Sequence, residues 1–321
     1  MLQTQSLADV RLDDAIDALI ARVHGGAGWW FRPVWLRYEL ARRPELIDCS
    51  YVVHEDGHVL AVLMLTYDPA TKMLGIGDGP TSHQTRDHVS SNLKNLLMRV
   101  DAAHFHGLTT SGNTCNWCAM ALRSIGWLGW STPTTTATRV LCVDQPLGQI
   151  FAHFRKSYRQ AIHASPYRVE HADPADGDTA MRVCRVLHLE SAGRQTRPES
   201  TWEMQDAWTR AGHGFWTIAR RDETPIAFAY TLCWRGYAVY MSSASLEPDA
   251  PKAIQWAVIQ ELHRRGVTHY ELGAQGVATT AKERGIEFFK RGFGGDDVHV
   301  EHKTLTRDEA FAGVPVSELV Q

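Results

Sequence analysis

The chain contains one order of elements twice, and this duplication constrains its fold more than any other feature. "SYVVHEDGHVLAVLML" (Ser50 to Leu65) sets two β-rich runs around the turn signal Glu55-Asp56-Gly57, which reads as a hairpin. "GFWTIARRDETPIAFAYTLCWRGYAVYMSSAS" (Gly214 to Ser245) sets three such runs around polar turns at Arg221 to Thr224 and at Arg235-Gly236, a meander. A helical pattern and a short strand follow each. In the second half Ile254, Ala257, Val258 and Leu262 mark one helix face, Gly266 stands where a left-handed cap would end it, and "VTHYELG" follows. In the first half "SSNLKNLLMRVDAAHFHG" and "LTTSG" repeat that order, and the turn segments "AMALRSIGWLG" and "GIEFFKRGFGG" close the two halves alike. Asp56 and Asp222, like Trp127 and Phe293, are 166 positions apart. A period of that length means duplicated domains rather than solenoid units. The expected fold is mixed α/β (α+β): two tandem domains, each a mainly antiparallel sheet flanked by helices. The expected domains are 1–144, joined by the C-terminal segment 305–321, and 145–304.

The chain has 321 residues, 44% of them hydrophobic and 21% charged, enough for two cores without disulfide or metal staples. A net charge of −3 supplies no global field toward nucleic acid or a membrane surface, so any polyanion site must be a local patch. The first twenty residues carry acids where a signal peptide needs an apolar run, and the chain has no run of eighteen apolar residues. A cytoplasmic protein without membrane insertion is expected. Its six cysteines (Cys49, Cys115, Cys118, Cys142, Cys184, Cys233) are read as reduced and mostly buried.

Between the halves lies "QIFAHFRKSYRQAIHASPYR". Ile150, Phe154, Tyr158 and Ile162 form an i+4 stripe expected to face the domain interface, while Arg155 and Arg159 stack on another face beside Lys156. No acid occurs from Gln145 to Val169. The segment reads either as a solvated connector helix or as a cationic rail beside a cleft.

"FRKSYRQAIHAS", "GRQTRPESTWEMQ", the Gly214 to Ser245 meander, "HYELGAQ" and "IEFFKRGFGG", in that order, resemble the Fem-type family. The resemblance covers most of residues 145–300, with a looser match in "FRPVWLRYEL" and the first hairpin. It implies two GNAT-like (N-acetyltransferase-like) units and transfer of an aminoacyl group from aminoacyl-tRNA to an amine. The acceptor would be peptidyl or nucleotide-linked, either a peptidoglycan precursor or an intermediate of a specialised metabolite such as a peptidyl antibiotic. The chain lacks the long heptad-patterned insertion of some members and resembles the compact ones.

That chemistry needs orientation, a cation where negative charge develops, and a route for one proton. The ester arrives activated, so no metal or cofactor is implied, only aminoacyl-tRNA as co-substrate and a small-molecule amine acceptor, with no DNA. Phe289-Lys290 match the family's Phe-Lys pair at the reaction centre. Lys290 would face the oxyanion or a phosphate, and Phe289 would pack on the terminal adenosine or the acceptor. Alternatively, Lys290 only caps its own helix. The first repeat has Arg123-Ser124 in place of this pair. Glu271, at a strand end near Gly273, is a candidate to accept the amine proton or hold an ammonium. For the acceptor the candidates are Arg194 and Arg197 in the "GRQTRPESTW" loop, Trp35 and Arg37 in the first half, and Tyr230 and Tyr240 on the meander, the aromatics being equally compatible with core packing. For tRNA they are Arg155, Lys156, Arg159, Lys282 and Arg284.

Two other readings compete. An acyl-CoA-dependent N-acyltransferase needs a glycine-rich, basic loop at a helix start, whereas the segment after the third meander strand, "LEPDAPKAIQW", is acidic and glycine-free. A non-catalytic duplicated binding module is the other. Cys115-Asn-Trp-Cys118 lacks a second pair for zinc, His104-Phe-His106 lacks a third ligand, and "GIGDG" at Gly75 to Gly79 lacks the lysine of a phosphate loop.

Overall fold

In the computed structural model the turns marked by sequence take the backbone that their residues favour. Asp56 and Gly57 both have positive φ (48° and 81°), as two-residue hairpin turns require, and Arg235-Gly236 repeats this (47° and 79°). The structure describes residues 2–7, 12–24, 29, 32–48, 50–63, 65–68, 73–76, 81–82, 104–109, 127–130, 134–276 and 278–307. It divides into two units, Met1–Thr136 with His299–Gln321, and Ala137–Val298. The architecture is mixed α/β, with mainly antiparallel sheet flanked by helices.

The first unit begins with strand β1 (Leu2–Ser6), which the sequence reading did not anticipate, followed by helices α1 (Asp13–His24) and α2 (Pro33–Arg42). Strands β2 (Ile47–Asp48), β3 (Tyr51–Glu55), β4 (His58–Leu63), β5 (Leu65–Asp68), β6 (Met73–Ile76), β7 (Thr81–Ser82), β8 (His104–Thr109) and β9 (Trp127–Trp130) follow. One sheet has the order β1-β3-β4-β7, and α1 packs on its β4 through buried Ile16, Leu19 and Ile20. His104 and His106 lie in β8, which runs parallel to β6, so they are sheet residues rather than the end of a helix. Trp127 opens a strand, whereas its counterpart Phe293 sits in a turn; the two closing segments are out of register by a few residues. Cys115 to Cys118 and the helix expected from Ser90 lie outside the described residues.

The second unit holds β10 (Thr134–Cys142) from Ala137 onward, α3 (Leu147–Ala152), α4 (Lys156–His163), β11 (Arg168–His171), α5 (Gly177–Ala192), α6 (Glu199–Arg210), β12 (Gly214–Arg221), β13 (Thr224–Trp234), β14 (Tyr237–Ser245), α7 (Ala250–Arg264), β15 (His269–Gln275), α8 (Ala281–Arg291) and the start of β16 (Asp296–Arg307). Its strands run β11-β12-β13-β14-β15-β10, with β14 and β15 parallel and the other pairs antiparallel. Alternation along β12 and β13 gives each sheet face its own core. Phe215, Ala227 and Ala229 join Ile254, Val258 and Leu262 of α7, while Trp216, Phe228 and Tyr230 form an aromatic layer with Trp202 of α6. Gly266 caps α7 at φ 70°, as its position in the sequence suggests.

The connector is two helices, not one. Arg155 N–H donates to Gly292 O at 2.8 Å instead of closing a helical turn, and the Arg159 guanidinium caps the carbonyls of Ala152 and Phe154. Ile150, Phe154 and Tyr158 are buried in the second unit's own core, which corrects their expected place on a domain interface. Cys184 and Cys233 are buried free thiols, but Cys142 is exposed.

Candidate active site

Strands β14 and β15 pair over only three positions, Tyr237↔His269, Ala238↔Tyr270 and Val239↔Glu271, although both continue beyond them. The cause lies in their outer ladders. Tyr230 opposes Ser242 and Thr231 opposes Tyr240, leaving Met241 as an extra residue; Arg139 opposes Gly273 and Val140 opposes Glu271, leaving Leu272 extra. Bulges at the same level on both sides bend the strands apart. A cavity of about 380 Å³ opens there, walled by Tyr240 to Ser243 and by Leu272-Gly273, with His188, Arg197 and Lys290 reaching it from α5, the α5–α6 loop and α8.

Helix α8 starts on a capping box. Thr280 Oγ1 accepts from Glu283 N–H at 3.2 Å, and the Glu283 carboxylate accepts from Thr280 N–H at 2.8 Å. Hydrogen bonds from Thr279 and Thr280 hold that carboxyl down at about 2. One end of α8 is thereby fixed, and Phe289 fixes the other, packing edge-to-face on Phe293 at 5.0 Å and against Tyr158 at 6.0 Å. Lys290, in the last turn, points at β15. Its Nζ donates to Ala274 O at 3.3 Å, the only hydrogen bond it makes among the described residues. Gly273 has φ 88°, a backbone that favours glycine, and a Cβ there would stand 3.2 Å from that amine, so the amine would have to shift by a few tenths of an ångström. Burial lowers the Lys290 pKa, opposed by the nearby charges of Glu271 and Glu287.

The carboxylate of Glu271 accepts from Thr138 Oγ1 at 3.0 Å and from Tyr237 O–H at 2.9 Å. Burial, with Glu271 alongside, pushes the Tyr237 phenol far up, so Tyr237 acts as a neutral donor. Arg197 is held in place: Nη2 donates to Gln205 Oε1 at 3.0 Å, and the guanidinium lies 3.6 Å from the Trp202 ring centroid. His188 stands edge-on to Trp202 at 5.4 Å, its pKa lowered by burial and by Arg197.

The structure therefore brings Lys290, Arg197 and Tyr240 to one cavity, with Glu271 close enough to bear on Lys290. Tyr230 does not join them. It is fully buried, packed against Trp216 in a tilted arrangement with ring centroids 4.4 Å apart and donating to Gln205 O at 2.9 Å, so its expected role in binding is corrected to a core role. Phe289 faces the core, and the aromatic ring offered outward is Phe288, 62% exposed with the Arg155 guanidinium 3.7 Å from its centroid. Arg159 is committed to backbone carbonyls, a structural role, whereas Lys156 and Lys282 are exposed and Arg284, also exposed, donates to Thr279 O. Arg194 is exposed on its loop. Trp35 and Arg37 belong to α2 of the first unit, where Trp35 stacks on Tyr38 and Arg37 pairs with Asp13.

Sequence reasoning missed Gly273, Tyr237, His188 and Phe288. Only Phe288 had a legible signal, because Phe289 and Phe293 share a helix face at i+4 and leave Phe288 off it. No group of three or more His, Cys, Asp or Glu among the described residues has the geometry to hold a metal ion. Nor is any described helix long and apolar enough to cross a membrane.

Residues 150–291 match the family model for the acetyltransferase (GNAT) domain. No curated protein matches the sequence. Among solved structures, FemX superposes with a TM-score of 0.66 at 13% identity, over 98% of this chain and 100% of that one. The C-terminal domain of a putative lysylphosphatidylglycerol synthetase from Agrobacterium fabrum gives 0.60 at 12%, over 95% and 94%. A tandem GNAT protein from the clavulanic acid biosynthesis pathway gives 0.52 at 13%, over 95% and 98%. Residues 150–291 are thus similar to the acetyltransferase (GNAT) domain, in a chain that shares its fold with FemX and with the tandem GNAT protein.

Proposed function

We propose that this protein transfers an aminoacyl group from aminoacyl-tRNA to the amine of a small acceptor, forming an amide, with two tandem GNAT-like domains as its framework. The observation that carries the reading is Lys290: a partly desolvated ammonium at the wall of the β14/β15 opening, with a single carbonyl as its hydrogen-bond partner among the described residues. In the reaction the amine adds to the ester carbonyl carbon and the carbonyl oxygen becomes an oxyanion. The C–O bond to the terminal ribose then breaks, and the proton lost by the amine ends on the ribose hydroxyl. Lys290 is placed to stabilise the oxyanion, where a low local dielectric makes its charge count for more than it would in water. Glu271, buttressed by Tyr237 and Thr138, is the candidate carrier of the proton. Phe289 positions Lys290 by anchoring α8. Arg155, with Phe288, and the exposed Lys156, Lys282 and Arg284 are the candidate contacts for tRNA. The acceptor is a peptidyl or nucleotide-linked amine, for which Arg194, Arg197 and Tyr240 remain candidates. The fold shared with FemX and the lysylphosphatidylglycerol synthetase domain supports aminoacyl transfer as the broad class. Charged tRNA places the reaction in the cytosol.

An acyl-CoA donor is the second reading, favoured by the GNAT match itself. The N-terminus of α7, where backbone amides would cradle a pyrophosphate, opposes it. Pro251 removes one N–H there, Asp249 supplies a carboxylate, and Lys252 is paired with that same Asp249. A non-catalytic binding module would leave the charge of Lys290 without a task.

The test is a single-turnover assay with charged total tRNA, labelled amino acids and a panel of amines, run beside acetyl-CoA. Label moving from tRNA to acceptor, abolished by RNase and by Lys290→Met, is the expected result. Turnover of acetyl-CoA with none of charged tRNA would overturn the reading.

A further inference from the structure

The cavity beside Lys290 has a charge pattern of its own. Among the described residues its walls hold two cations, Arg197 and Lys290, and no carboxylate. His188 adds little positive charge, since burial and Arg197 both disfavour its protonated form. The remaining polar groups of the wall are hydroxyls. Tyr240 O–H is spent on Ser243 Oγ at 2.5 Å, while Ser242 Oγ is buried with no hydrogen-bond partner among the described residues. A buried hydroxyl without a partner is costly unless a ligand completes it.

Arg197 is built for recognition rather than left on a loop by chance. Trp202 under its plane and Gln205 at one edge fix the guanidinium before anything binds, so little side-chain entropy remains to be lost. A planar fork held in this way matches a carboxylate. The volume, about 380 Å³, lies at the small end of ligand pockets, suited to an amino acid or a dipeptide end.

We infer that the acceptor presents a carboxylate close to its amine, as an α-amino acid or a dipeptide does, and that Arg197 with Ser242 binds that carboxylate while the amine lies toward Gly273 and Lys290. This deepens the proposed transfer and rests on Lys290 marking the transfer site. Arg197 thereby becomes the residue that sets acceptor class, apart from any role in donor binding.

The experiment measures acceptor binding without a donor, so that it does not depend on which donor is used. Saturation-transfer NMR and calorimetry are run with alanine and alanylalanine, their carboxamides, and phosphoethanolamine, on the wild-type protein, Arg197→Gln, Arg197→Lys and Ser242→Ala. The acids are expected to bind about ten- to a hundred-fold more tightly than the carboxamides. Arg197→Gln should erase that preference and Arg197→Lys keep part of it, with unchanged circular dichroism. Should Arg197→Gln fail to fold, the partial losses in Arg197→Lys and Ser242→Ala carry the same test. Equal binding of acids and carboxamides, absence of binding by any acid, or a preference that survives in the variants overturns the inference. So does phosphoethanolamine binding through Arg197 where the acids do not, which would make the anion a phosphate. A carboxylate preference found alongside transfer from acetyl-CoA alone would leave this inference standing and overturn the tRNA donor.

Discussion

The amine of Lys290 sits over Gly273, 3.2 Å from where a Cβ would stand on a residue whose φ is 88°. A backbone bulge in β15 and a side chain from α8 therefore meet in one space. Gly273→Ala should strain the backbone by about 1–2 kcal/mol and displace the amine. Its rate of transfer should fall well beyond what the lowered melting temperature explains, a contrast read by comparing rates on folded enzyme at low temperature. Equal rates in folded Gly273→Ala would show that the position of the amine is immaterial.

Lys290→Met should separate stability from activity. Burial lowers the Lys290 pKa, so the charged form is carried in the native state at a cost, and the neutral thioether removes that cost. The variant should melt no lower than wild type while transfer falls about a hundred- to a thousand-fold. Thermal melts beside single-turnover rates decide this, and a large destabilisation would mark Lys290 as structural.

The pH dependence has a definite sign. With the folded pKa below the unfolded one, the unfolded chain binds the extra proton between the two values, so this group makes stability rise with pH across that window. Activity should run the other way. If the ammonium stabilises the oxyanion, transfer declines on an alkaline limb that begins below the ordinary lysine value and is missing from Lys290→Met. A rate that climbs through the same window would make Lys290 a base instead.

The cations split into two groups by what they touch. Arg159 holds the carbonyls of Ala152 and Phe154, so Arg159→Ala should cost about 1 kcal/mol or more of stability without a specific effect on tRNA. Glutamine at Lys156, Lys282 or Arg284 should leave stability nearly unchanged. Each should weaken tRNA binding and lower the salt slope by about 0.7 to 0.9 for every phosphate that is no longer neutralised. Filter binding across a salt series, paired with melts, distinguishes the two groups; a flat salt slope in all of them would remove this surface from the tRNA path.

Tyr230→Phe should destabilise by about 0.5–1.5 kcal/mol, because the buried Gln205 carbonyl loses this donor and keeps that of the Thr209 hydroxyl. Acceptor affinity should not change, since Tyr230 is wholly within the aromatic layer. A selective loss of acceptor binding at constant stability would return Tyr230 to the site.

Elements whose cause is local are legible in the residues alone. Asp56-Gly57 and Arg235-Gly236 specify their turns through positive φ, and Gly266 ends α7 for the same reason. The spacing of Ile254, Val258 and Leu262 specifies the helix face that is buried. Lys290 stood out as a lone cation between an apolar run and a glycine turn, a contrast visible without a fold. Features that depend on partners distant in sequence emerge only once the chain is folded. Arg155 breaks the connector because its N–H finds Gly292 O, more than a hundred residues on. Tyr230 and Tyr240 are alike in the strand pattern, yet a bulge at Met241 separates the fully buried one from the one that reaches the cavity. The opening itself comes from two bulges on different ladders falling at one level, and no periodicity within a single strand encodes that coincidence.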